Sequence, residues 1–110
     1  MATGRLGTAN ITGNSNTTIY TVPASTFSVV SISVCNRSNS ASCLVRIAVS
    51  STSTPGNDEW IEYDSSLVAN GVIERTGIVM DAGKLLVVNI SSPVSPTVSV
   101  VAVGIETSTA

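Results

Sequence analysis

The sequence predicts an all-β chain that folds as an antiparallel β-sandwich, jelly-roll-like, with seven to eight strands and an extended N-terminal arm. Short segments rich in Val, Ile and Thr recur roughly every twelve residues, which is the strand spacing of such folds. Turn-forming residues separate these segments, and none of them follows the period of a helix. With 110 residues, no internal repeat and no linker, we expect one domain over residues 1–110.

The first segment, residues 1–16, contains three glycines and shows no sustained alternation of apolar and polar residues. We expect an extended arm there, with at most a short strand near Leu6–Ile11. Terminal segments of this kind are seldom ordered unless something ties them down. We therefore expect residues 2–12 to lie on a neighbouring subunit.

The next segments predict one strand and then a hairpin. Thr17–Val22 alternates and stops at Pro23, as a first strand would. Phe27–Val49 reads as a hairpin whose two arms each have one apolar face, and a second apolar surface must cover that pair. The adjacent Val29 and Val30 predict a β-bulge in the first arm. The apolar positions are Val30, Ile32 and Val34 in the first arm, and Cys43, Val45, Ile47 and Val49 in the second.

The second half of the chain predicts five further strand segments, separated by turns at Pro55-Gly56, Asn70-Gly71 and Asp81–Gly83. Ser91–Pro96 is expected to be a loop or a sheet edge because it holds two prolines, and Glu106–Ala110 a polar tail. The five segments are Trp60–Asp64, Val72–Thr76, Ile78–Met80, Lys84–Ile90 and Thr97–Ile105.

Charged residues make up only 11% of the chain, the net charge is −2 and the mean hydropathy is +0.40. A weakly charged surface is unusual for a free monomer, so we expect other subunits to cover part of it. Five dispersed basic residues argue against a nucleic-acid partner. The apolar runs are too short to span a membrane, and no export signal is visible, so we expect synthesis and assembly in the cytoplasm.

The two cysteines, Cys35 and Cys43, flank the loop of the predicted hairpin. They could form a disulfide, or they could be two small apolar side chains in a strand pair. Without a sign of export we favour the second interpretation. The chain has no histidine, which excludes histidine-based catalytic sets and the usual zinc sites, so we expect no cofactor and no enzymatic activity.

A cluster of carboxylates lies between residues 57 and 64 and allows three interpretations. Glu62 and Glu74 could form the carboxylate pair of a glycoside hydrolase. Asp58 with neighbouring oxygens could bind calcium. The interpretation that we favour is an exposed, polar strand face. We also expect ion pairs between Glu74 and Arg75 and between Glu62 and Arg46.

Several segments resemble small virion structural proteins of tailed bacteriophages, cyanophages among them, and the resemblance extends over nearly the whole chain. Its most specific part is the IEYD…GVIERTG pattern. The segments that carry it are Gly4–Gly7, Tyr20–Ala24, Val34–Arg37, Arg46–Val49, Ile61–Asp64 and Gly71–Gly77.

This resemblance implies a non-enzymatic β-sandwich, often trimeric, that decorates or cements the exterior of the capsid. Its expected partners are the major capsid protein and further copies of itself. The alternatives are a tail, neck or fibre-associated module, or a carbohydrate-binding module, although we expect most of the four aromatic residues to lie in the core. The candidate interface residues are Gly4, Arg5, Leu6, Arg46, Glu62, Glu74 and Arg75.

Overall fold

The computed structural model describes residues 2–92 and 96–109, which form eight antiparallel β-strands. The all-β prediction is therefore confirmed. The strands are β1 (Thr3–Ile11), β2 (Asn16–Thr21), β3 (Thr26–Asn36), β4 (Cys43–Ser50), β5 (Trp60–Leu67), β6 (Val72–Met80), β7 (Leu85–Ser91) and β8 (Val98–Ser108).

The strands form two four-stranded sheets, which we call sheet I (order β1-β8-β3-β6) and sheet II (order β2-β7-β4-β5). Successive strands alternate between the sheets, except that β4 and β5 are neighbours within sheet II. This strand order is that of an eight-stranded jelly roll, as the sequence predicted.

The core lies between the two sheets and is built from alternate residues of the inner strands. In β3 every second residue from Thr26 to Asn36 is buried, which gives the strict period of two expected of a strand with one covered face. β4 and β7 supply the facing layer from the other sheet. The largest side chains that this core buries completely include Ile32, Ile47, Met80, Leu86 and Ile90.

The expected hairpin between Phe27 and Val49 is wrong, although the predicted apolar positions pack in the core, Val49 only in part. β3 belongs to sheet I and β4 to sheet II, so the two apolar faces cover each other across the core instead of lying side by side. The only strand pair joined as a hairpin within the described residues is β4 with β5. A strand with one apolar face shows the same alternation in sequence whether the next strand lies beside it in the same sheet or opposite it across the core.

The predicted bulge at Val29 and Val30 is also wrong. β3 pairs with β8 without a register shift over its whole length, and Val29 simply faces outward. The irregularity lies in the other neighbour, β6, where Gly77 has φ +68° and joins the two predicted segments Val72–Thr76 and Ile78–Met80 into one bulged strand.

The N-terminal segment is extended, but it does not depend on a neighbouring subunit for its order. β1 pairs with β8 from Thr3↔Ile105 to Ile11↔Val98, and Leu6 packs against the core of its own chain. β8 thus satisfies one side of the backbone of these residues; that residues 2–12 also reach a neighbouring subunit stays a prediction. The predicted polar tail is likewise partly strand, since β8 continues to Ser108.

The predicted loop at Ser91–Pro96 is only partly visible. Ser91 is the last residue of β7, and residues 93–95 lie outside the described residues.

All four edge strands, β1, β2, β5 and β6, carry register shifts, whereas the two central pairs, β3 with β8 and β4 with β7, carry none. Positive φ angles at Gly4, Asp64 and Gly77 accompany three of these edge irregularities. A bulge bends a strand and breaks the straight ladder that another strand would need for pairing. The molecule therefore offers its flat faces to partners more readily than its edges.

Candidate functional site

The outer face of sheet I carries an exposed apolar patch, which we call the apolar stripe: Phe27, Val29, Val79, Val103 and Ile105. Val29 pairs with Val79 on one side and with Ile105 on the other, so these three side chains form one row across the sheet. Val79 is 70% exposed and Ile105 48% exposed. Contiguous apolar surface of this kind marks interaction sites on soluble proteins.

Two charged side chains face outward from the strands of sheet I, and they lie on opposite edges. Arg5 is on β1, in register with Val103, and Glu74 is on β6, in register with Ser33. Neither forms an ion pair or hydrogen bond with any other described residue. The face is therefore apolar in its middle, positive at one edge and negative at the other.

The outer face of sheet II carries a different group, the ring cluster: Arg46, Trp60, Tyr63 and Asp64. Arg46 donates to both carboxylate oxygens of Asp64, at 2.6 and 3.1 Å, and its guanidinium lies 4.0 Å from the centre of the Tyr63 ring. The rings of Trp60 and Tyr63 meet edge to face at 5.7 Å. The hydrogen bonds from Arg46 lower the pKa of Asp64, and those to Asp64 raise the pKa of Arg46.

The predicted ion pair between Arg46 and Glu62 is therefore wrong, because Arg46 pairs with Asp64 instead. β5 contains extra residues on both sides of Glu62, so the register shifts by one residue twice along the strand. Asp64 adopts φ +53°, a conformation that Asp tolerates better than most residues. These irregularities place Asp64 beside Arg46 on the outer face, and no glycine in the sequence marks them.

The expectation that most aromatic residues lie in the core is wrong as well. Tyr20 is buried, but Phe27 belongs to the apolar stripe, Trp60 is half-buried and Tyr63 is 58% exposed. The core is filled by aliphatic side chains instead. Sequence alternation could have shown that Phe27 lies out of phase with Val30, Ile32 and Val34.

Glu62 forms its ion pair with Arg75, at 3.0 Å, and also accepts a hydrogen bond from Ser65. This pair connects β5 of sheet II to β6 of sheet I along the open side of the sandwich. The expected Glu74–Arg75 pair does not form, because consecutive residues of a strand point to opposite faces. Glu74 points outward, away from the core, whereas Arg75 turns toward the neighbouring sheet.

An open groove of about 430 Å³ lies beside this ion pair and is lined by residues of β5 and β6. Glu74 is among the residues that line it and Glu62 is not, so the groove does not bring together the two carboxylates of the glycoside-hydrolase interpretation. The residues lining the groove are Ile61, Glu74, Arg75, Thr76, Gly77 and Ile78.

The opposite side of the sandwich is closed by a polar network that sequence reasoning missed. The Tyr20 hydroxyl donates to Glu106 at 2.6 Å and lies 2.6 Å from the buried hydroxyl of Ser28. Since the single Tyr20 proton goes to Glu106, Ser28 donates to Tyr20. Burial and the Glu106 carboxylate raise the pKa of Tyr20, and the bond from Tyr20 lowers the pKa of Glu106.

In the loop between β4 and β5, the carboxylate of Glu59 holds the backbone in place through hydrogen bonds. Glu59 accepts hydrogen bonds from the backbone of Gly56 at 2.7 Å and of Ser51 at 3.1 Å, and from the Ser50 hydroxyl at 3.0 Å. These bonds lower the pKa of Glu59. Among residues 2–92 and 96–109, no group of three or more acidic or cysteine side chains is arranged to hold a metal ion, so the calcium interpretation of Asp58 gains no support.

The two cysteines are free and lie on different surfaces. Cys43 is buried at the start of β4, which raises the pKa of its thiol, whereas Cys35 lies on the outer face of sheet I opposite Val72. Because β3 and β4 are not neighbours, the loop between them does not bring these side chains onto one face.

The candidate interface residues fall into two groups. Leu6 packs into its own core, and Arg46, Glu62 and Arg75 are engaged in ion pairs within the chain. Gly4, with φ +109°, Arg5 and Glu74 remain exposed and without a side-chain partner on sheet I.

Comparison with known proteins finds no matching family model, no matching curated protein and no matching solved structure. None of the described segments is a helix long and apolar enough to cross a bilayer.

Proposed function

We propose that this protein is a virion structural protein that covers and stabilises the outside of a bacteriophage capsid, without enzymatic activity. The observation that carries the proposal is the apolar, nearly uncharged outer face of sheet I on a jelly-roll scaffold. Jelly rolls are frequent in viral capsids, and the sequence resemblance to virion proteins of tailed phages points the same way.

A decoration protein works by contact area, and several features suit that task. The low charge reduces the cost of removing the surface from water when it meets a partner. Repetition of the same contact around a capsid adds many modest contacts into firm attachment. The major capsid protein and further copies of this chain are the proposed partners; the trimer that the resemblance implies is one arrangement of those copies.

Quantitative mass spectrometry of purified particles, combined with imaging of the particle, tests the proposal. A copy number comparable with that of the capsid protein, and density on the head exterior, would support decoration. A copy number matching tail or fibre positions would favour the alternative virion role. Absence from particles would contradict both.

A carbohydrate-binding role is the second candidate, because the ring cluster places the exposed ring of Tyr63 beside the half-buried ring of Trp60. Tyr63 and Trp60 lie on the surface at the outer face of sheet II, and sugars stack on exposed aromatic rings of this kind. A glycan array with Trp60→Ala and Tyr63→Ala tests it, with Phe27→Ala on the opposite face as the matched control. Binding lost only in the first two variants would support the role, and no binding by the wild type would refute it.

A further inference from the structure

We propose that the outer face of sheet I binds the same face of a second copy of this chain, with Arg5 of each copy opposite Glu74 of the other. The inference rests on the proposal that the protein acts through surface contact, and it names the surface and its occupant. Four features of the structure support it.

The first feature is that the edges of the two sheets are poorly suited to pairing with a strand of another chain. All four edge strands are bulged, so strand-to-strand extension of either sheet would meet a bent ladder. The two outer faces remain. On sheet II the charged ring-cluster side chains already pair with each other, whereas on sheet I the exposed apolar side chains have no cover.

The second feature is the order of the strands in sheet I, β1-β8-β3-β6. If a second copy is turned over about an axis that runs parallel to the strands, between β8 and β3, its β6 lies opposite β1 and its β3 lies opposite β8. Val29 and Ile105 are register partners, so each Val29 then faces the Ile105 of the other copy. The centre of the apolar stripe is thereby covered from both sides.

The third feature is the position of the two charges. Arg5 lies in the row of Val103 and Ser31, and Glu74 lies in the row of Ser33, two residues along β3. Two residues of a strand span about 7 Å, and packed sheets lie about 10 Å apart, a gap that an arginine and a glutamate together can cross. The turned-over copy brings the positive edge of one face onto the negative edge of the other, twice.

The fourth feature is that these charges have no other use within the described chain. Arg5 is the only basic side chain there that makes neither an ion pair nor a hydrogen bond to a described residue. Because the positive and the negative charge lie at opposite edges of one face, that face is complementary to the same face of a turned-over copy. Contact with a second copy pairs Arg5 and Glu74, whereas contact with an uncharged surface would leave both unpaired.

The mass of the purified protein in solution, measured by light scattering over a range of concentrations, tests this contact separately from its presence in virions. We expect the wild type to reach twice the 11.2 kDa of one chain. Val79→Asp and Ile105→Asp should remain at the mass of one chain. The matched control is Val68→Asp, because Val68 is 63% exposed but follows β5, away from this face. Circular dichroism should show the same fold in all four proteins.

Charge exchange tests the orientation. Arg5→Glu or Glu74→Arg alone should weaken association about tenfold, since each replaces two attractive contacts with repulsive ones. The double variant R5E/E74R should recover the affinity of the wild type.

Three outcomes would overturn the proposal. A wild type that stays at the mass of one chain at every concentration, or that assembles as a trimer, would exclude the two-fold contact. Association unaffected by Val79→Asp would place the contact elsewhere. Failure of the double exchange to recover affinity would refute the pairing of Arg5 with Glu74. If the protein is absent from virions but dimerises as described, the proposed function is refuted and the proposed contact between copies is supported.

Discussion

Replacing Tyr20 by Phe tests the polar network that connects the two sheets at the β2 side. The substitution keeps the ring and removes only the hydroxyl that bonds to Ser28 and Glu106. Ser28 is fully buried, so its hydroxyl loses its acceptor in a place that water does not reach. Leaving a buried hydroxyl unsatisfied costs about 1–3 kcal/mol in the free energy of unfolding.

For a chain of this size that cost lowers the melting temperature by about 4 °C or more. Thermal and urea unfolding followed by circular dichroism measures it. The control is Tyr63→Phe, because Tyr63 is exposed, and we expect a change of about 0.5 kcal/mol or less. The double variant Y20F/S28A should regain part of the loss, because removing both partners leaves no unsatisfied hydroxyl at Ser28.

The pH dependence provides an independent readout. The bond from Tyr20 lowers the pKa of Glu106 in the folded state. Its stabilisation is therefore fully present above the ordinary glutamate pKa of about 4.3 and is lost as the pH falls through the lower folded-state value. The stability difference between wild type and Y20F should be largest near neutral pH and shrink below about pH 4. Equal stability of the two proteins, or a difference independent of pH, would refute the network as described.

Two further predictions concern backbone packing and the thiols. Gly7→Ala should lower the free energy of unfolding in urea by about 1–3 kcal/mol, since the added Cβ would lie 2.1 Å from the carbonyl oxygen of Ile19. The control Gly13→Ala should be nearly neutral, because open space surrounds Gly13. Equal effects of the two substitutions would contradict the close approach of β1 to β2. Thiol titration should find two free thiols after unfolding and, in the folded protein, faster reaction of half-exposed Cys35 than of buried Cys43. A denatured protein with no free thiol would show that the cysteines are bridged.

The sequence predicted which residues face the core more reliably than which strands are neighbours. The alternation identified the buried positions of β3 and of the first half of β4, because a period of two assigns a face, but at the end of β4 Ala48 and Ser50 are fully buried and Val49 only half-buried. The alternation could not show whether β4 lies beside β3 in one sheet or opposite it across the core, which is why the predicted hairpin is wrong. The strand count and the fold class did not depend on that choice.

The side-chain pairs were predictable only where the register is regular. Arg46 was expected to pair with Glu62, but the bulges in β5 brought Asp64 to it, and Asp64 carries no glycine-like signal of its unusual backbone. The Tyr20–Glu106 bond joins residues separated by 86 positions, and nothing local indicates it. Contacts of that range follow from the topology, which the sequence pattern alone did not specify.

The position of β8 has a consequence for how the chain is made. β8 is synthesised after the other seven strands, yet it is inserted between β1 and β3, which are made much earlier. Until it arrives, the first strand has no partner in its sheet and the middle of that sheet is missing. Folding of sheet I must therefore wait until β8 has been synthesised, and a chain that stops before Val98 should be recognised by cellular proteases instead of accumulating as a partly finished domain.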